Sequence, residues 1–158
     1  MGSYADDALF MSRNNIEYVE LISDDGKSKV MVIPAWQGRV MTTSAAGDEG
    51  DSYGWINYSF IKKRQIDLQF NPVGGEERFW LGPEGGVFSL YFRQGEKQIY
   101  KNWKVPPVLD IEAFKIQSQS KNCICLTKEG CLTNACGTTF YLNIKRTISL
   151  LDINAVSY

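Results

Sequence analysis

Between Glu76 and Glu84 the chain reads "EERFWLGPE", which sets a carboxylate, a guanidinium, an indole and a second carboxylate at even spacing. In an extended segment Glu76, Arg78, Trp80 and Glu84 point to one face, and Phe79 and Leu81 to the other as core. Such a face suits sugar recognition. An indole stacks on the apolar face of a pyranose, and charged groups take its hydroxyls in bidentate bonds. The same residues also suit an arginine–glutamate pair buried under a tryptophan lid at a sheet corner. Two glycine pairs flank them, Gly74-Gly75 and Gly85-Gly86, as turns or bulges where strands bend sharply. A phosphate cradle does not fit. Its glycines sit between a strand and a helix, whereas "GPEGG" leads into the strand-like "VFSLYF".

Further candidates lie on either side. Trp55 and Asn57 share one face of "GWINYSF", where the indole serves equally as core or as a sugar platform. Arg39 follows a turn glycine in "WQGRVMTTSA", a position more often taken by a solvated or paired arginine than by a ligand contact. Asp110 and Glu112 in "VLDIEAF" share a face, as the paired carboxylates of a glycosidase do, although solvated same-face acids are commoner.

The chain has no histidine, which excludes Ser–His and Cys–His nucleophile pairs within it. Proton transfer falls to Asp, Glu, Lys, Tyr or water, and no catalytic residue is assigned. The four cysteines, Cys123, Cys125, Cys131 and Cys136, are spaced C-x-C-x₅-C-x₄-C rather than in the C-x₂₋₄-C pairs of a zinc site. They read as small apolar residues of a hairpin, with Cys131 after a Lys-Glu-Gly turn and a cross-strand disulfide as the alternative. Neither a metal nor a cofactor is expected.

The elements that must position these groups are mostly strands. "SYADDALFMSRNN" is the one convincing helix, over about residues 4–13, capped by Ser3 and ended by Asn14-Asn15, with Asp6 and Asp7 at its positive end. Beyond it the period drops to two. "IEYVELI", "KVMVIP", "GRVMTTSA", "GWINYSFI", "QIDLQF", "FSLYF", "AFKIQSQ", "CICLT" and "TTFYLNIKRTISLL" read as strands, separated by turn signals such as "SDDGKS" and "NPVGG". Short strands at such intervals predict a mainly β fold, an antiparallel sandwich rather than a βαβ sheet. At 158 residues and 44% hydrophobic, the chain is long enough for one domain with a real core. A net charge of −1 without a basic block argues against nucleic acid or an anionic membrane as partner. No apolar run approaches transmembrane length, so no membrane insertion is expected.

Four blocks, "PAWQGRVMTTSA", "SYGWINYSFI", "GGEERFWLGPEGGVFSLYF" and "NWKVPPVLDIEAF", follow one another in this order. Together they closely resemble an uncharacterised bacterial family with a galactose-mutarotase-like fold, often met in polysaccharide-degrading gut bacteria. The resemblance runs from about Asp6 to about Asp152. "GGEERFW" is also loosely similar to the "GG-x-P-x-x-F-P" corner of hexose-phosphate epimerases. The family implies a β-supersandwich, two large antiparallel sheets whose concave face binds a saccharide, and a periplasmic or secreted setting. Its members are about twice as long, and mutarotase chemistry draws a histidine and acids from the later half. The resemblance therefore implies either a single β-sandwich domain over residues 1–158 or the N-terminal half of a supersandwich, with part of the sugar-facing wall and incomplete catalytic machinery. The strand pattern of "FYLNIKRTISLLDINAVSY" stays at full strength to its end, so an open sheet edge is expected. A second copy or a C-terminal half would cover it.

Overall fold

The computed structural model describes residues 2–151. The residues from Asp152 onward, the end of the last strand-like run, lie outside them. The fold is mainly β, two three-stranded antiparallel sheets arranged as a sandwich. Strands β1 (Val19–Ile22), β2 (Lys29–Ile33) and β3 (Arg39–Ser44) form the first sheet in sequence order, with a bulge between Met31 and Val32. Strands β4 (Lys115–Gln119), β5 (Cys123–Thr133) and β6 (Thr139–Ser149) form the second. Among the described residues the outer edge of β6 carries no ladder partner.

Alternation along the strands sorts side chains into two cores on either face of the first sheet. Leu21, Val30, Val32 and Val40 join Ile124, Leu126 and Ile144 of the second sheet in the larger core. Met31, Ile33 and Met41 turn the other way, onto Tyr4 and Met11 of α1 (Tyr4–Arg13) and Ile61 of α2 (Tyr58–Lys63). Each such side chain, once fully buried, favours folding by about 1.5–3 kcal/mol before entropy is counted.

Helix α1 starts where the sequence places it. Ser3 and Asp6 form a reciprocal capping box, which holds the Asp6 carboxyl below its usual range. Four sequence expectations are corrected. "GWINYSFI" is not a strand, because the Asn57 side chain accepts from the Phe60 amide and opens α2. "QIDLQF" does not pair either. The Asp67 carboxylate accepts from the amides of Gln69 and Phe70, a local bond that competes with any ladder. In "FSLYF" Tyr91 and Phe92 are buried as the alternation suggests, but the Ser89 hydroxyl takes the Tyr91 amide and no strand forms. Finally, β5 runs straight through Lys128-Glu129-Gly130 without a turn. Gly130 is there for close packing, since a Cβ on it would lie 2.8 Å from Val108 Cγ2.

Candidate functional site

The Gly74-Gly75 pair crosses the loop before α2 and touches β3. Both glycines have left-handed φ, 97° and 112°, and a Cβ on Gly74 would stand 2.2 Å from the Trp55 carbonyl oxygen. No other residue fits this crossing. Backbone bonds fasten it: Gly75 N–H donates to Trp55 O at 2.8 Å, Asn57 N–H to Val73 O at 3.0 Å, and Glu76 N–H to Val40 O at 2.9 Å. The Asn57 amide adds a bond to Pro72 O at 2.9 Å. Asn57 therefore serves as a cap and a strut.

This fastening fixes a small surface. Trp55 leaves 65% of its area in solvent although its own backbone is bonded, and Tyr53, two residues earlier, is 56% exposed. The Glu76 carboxylate lies on the same structural unit, taking the Thr43 amide at 2.7 Å and the Thr43 hydroxyl at 3.0 Å. The Tyr53 amide in turn donates to Thr43 O. Tyr53 is absent from the residues expected at a site, and its place across a glycine from Trp55 in "SYGWINY" is the one signal that marks it.

Arg39 lies beneath this surface rather than on it. The side chain is 1% exposed and donates to Gly74 O at 2.8 Å and to Gln37 Oε1 at 3.3 Å. It is neither solvated nor ion-paired among the described residues, contrary to the commoner roles of such an arginine. Burial, with the neighbouring Arg78 charge, lowers its pKa to about 10, still cationic at neutral pH.

Arg78, Trp80 and Glu84 form a second group, so the shared face expected for the four residues splits after Glu76. The segment is not a regular strand, and its one ladder bridge to β3 among the described residues pairs Glu77 with Val40. The Arg78 guanidinium lies 4.2 Å from the Trp80 ring centre and 5.3 Å from that of Phe70. It donates to Leu109 O at 2.5 Å and pairs with Asp110 at 3.4 Å. The Trp80 indole N–H donates to Glu84 Oε1 at 2.9 Å, and the Tyr91 ring tilts against the indole at 5.1 Å. Beyond it Tyr91 and Trp103 stack at 5.6 Å. With a cation and a ring both against the indole, this group has the contacts of a brace, the alternative weighed from sequence. Its acid is Asp110 rather than a glutamate.

The remaining acids are also engaged. Asp110 is buried and accepts both the backbone and side-chain amides of Asn71 at 2.9 and 2.7 Å, while Glu112 pairs with Lys128 at 2.6 Å. The two do not share a strand face as expected, because they follow a 3₁₀ turn over Pro107–Leu109 and precede β4. All four thiols are free, and Cys131 and Cys136 are exposed rather than apolar fillers. Among the described residues no group of three or more His, Cys, Asp or Glu side chains converges as metal ligands, and no helix is long and apolar enough to cross a membrane.

Fold and surface together define a mainly β protein with exposed aromatic rings on a tethered loop and a carboxylate fixed to the adjoining strand β3. The chain belongs to the family described as a family of unknown function, DUF6786, whose model matches residues 2–158. No curated protein and no solved structure matches it.

Proposed function

We propose that this domain binds carbohydrate on the surface made by Tyr53, Trp55 and Glu76. The observation that carries the reading is Trp55, a large apolar ring held in water by a backbone that is itself bonded in place. Exposing an indole forgoes about 1.5–3 kcal/mol of burial, and a rigid mount spares a ligand the cost of ordering it. Stacking on a pyranose would recover that area, with the Glu76 carboxylate accepting from ring hydroxyls. Asn57 and Arg39 act from behind, holding the loop and the Gly74 carbonyl. Binding, without turnover by this chain, is the activity proposed. A purely structural role is the second reading, favoured by the closed contacts around Arg78 and Trp80.

Glycan-array screening followed by calorimetry on the wild type, Trp55→Ala, Glu76→Gln and Trp80→Ala separates the two. Trp55→Ala and Glu76→Gln should weaken saccharide binding at least about tenfold with unchanged melting temperature, while Trp80→Ala lowers the melting temperature. A wild type that binds no saccharide leaves the structural reading standing.

A further inference from the structure

Away from that surface, a cleft of about 450 Å³ opens where the C-terminal ends of α1 and α2 meet the 3₁₀ turn Pro34–Trp36. Trp36 and Phe60 line it together with isoleucines, and Asn15, Arg64 and Gln65 stand among them as polar groups. Its volume suits one or two rings of a small ligand. The backbone around it is unusual. Among the described residues the non-glycine residues with left-handed φ are Asn15 at 57°, Gln37 at 66° and Arg64 at 51°; each follows a helical segment, and Asn15 and Arg64 line the cleft. Such conformations disfavour an L-residue, and they gather at ligand sites more than elsewhere.

Charge is also one-sided here. Arg13, Lys62, Lys63 and Arg64 occupy the ends of the two helices, and none has an ion-pair partner among the described residues. The negative ends of the helix dipoles offset part of this charge. The one carboxylate on the lining, Asp110, already serves Asn71 and Arg78 with its two oxygens. An unpaired arginine at the mouth of an apolar, ring-sized slot calls for a ligand with a flat apolar face and an anionic group.

We propose that this cleft binds a ring-sized carboxylate, a uronate residue of an acidic saccharide. Trp36 takes the face of the ring, Arg64 its carboxylate, and the Asn15 and Gln65 amides its hydroxyls. That the ring is a sugar rests on the carbohydrate reading above, whereas the carboxylate rests on the cleft alone.

Calorimetry with galacturonate, galactose and cyclohexanecarboxylate on the wild type, Arg64→Gln, Arg64→Lys, Trp36→Leu and Trp55→Ala tests it. Galacturonate should bind at least about tenfold tighter than galactose, and more weakly as salt rises. Arg64→Gln should remove that preference at unchanged melting temperature, Arg64→Lys should restore part of it, and Trp36→Leu should weaken binding of both sugars. Trp55→Ala, which acts at the other surface on both sugars alike, should keep the preference for galacturonate over galactose, so a failure of the Trp55 surface is seen separately from a failure of the cleft. Equal binding of galacturonate and galactose, no galacturonate binding, or an Arg64→Gln protein that still prefers the acid would overturn the proposal. Cyclohexanecarboxylate binding as tightly as galacturonate would overturn the sugar.

Discussion

Asp110 shows how much one buried side chain can hold. It ties Arg78 to the Asn71 backbone, and so ties the glycine-flanked segment to the turn after Pro107. Replacing it by Asn should leave the half-buried Arg78 guanidinium without its counter-charge, which costs about 3–5 kcal/mol. Thermal melts of Asp110→Asn against wild type should show a fall of roughly 2–4 °C for each of those kcal/mol. At this scale the sequence was partly legible. Trp80 beside Glu84 follows from local spacing and is found, whereas Phe79 and Trp80, expected on opposite faces, both pack partly buried against the larger core. The partner of Arg78 was hidden because it lies 32 residues away, and no local period reports so distant a contact.

Elements followed their local chemistry wherever a cap or a ladder dominated. The Ser3 cap of α1 and the alternation of β1, β2, β3 and β6 are legible in the sequence, since those segments find partners matching their period. Helix α2 was missed because aromatic and β-branched residues in "GWINYSFI" suggest a strand, and one cap outweighs them. That cap is testable. Asn57→Ala removes the acceptor for the Phe60 amide together with the bond to Pro72 O, and should cost about 1 kcal/mol for the cap alone. Chemical denaturation should show it as a lower midpoint at unchanged slope. The irregular span between α2 and β4 resembles strand in its sequence, because alternation reports burial of side chains and not whether a neighbouring backbone is present to bond.

For the molecule as a whole, alkali should be the weak side. An unfolded tyrosine ionises near pH 10. Burial raises the folded pKa of Tyr4 and Tyr91 well above that, and Tyr58, beside Asp7, is raised too but is more exposed. Stability from a raised pKa is complete below pH 10 and is lost as the pH climbs past it. Arg39 works the other way. With its pKa lowered to about 10, the unfolded chain holds that proton longer, and the group favours the folded state in the same range. Arg78, lowered by its own burial, acts in the same sense as Arg39, and three raised tyrosines against these two arginines give a net loss. The part of the tyrosinate absorbance that comes from the buried rings of Tyr4 and Tyr91 should therefore rise only with unfolding. A single reversible stage for all the tyrosines would contradict this.

The four free thiols make the second sheet its own clock. Cys136 is exposed, and its bonds with Thr138 and Asn134 lower its pKa, so a maleimide should modify it first. Cys131 should follow. Cys125 is buried between Gln117 and Thr147 on neighbouring strands, and a reagent reaches it only when β4 or β6 parts from β5. With the partly exposed Cys123 replaced by Ser and Cys131 and Cys136 blocked, the remaining labelling rate counts those partings one molecule at a time. A ligand that steadies the sandwich would slow the count, and one that binds without steadying it would leave the count running.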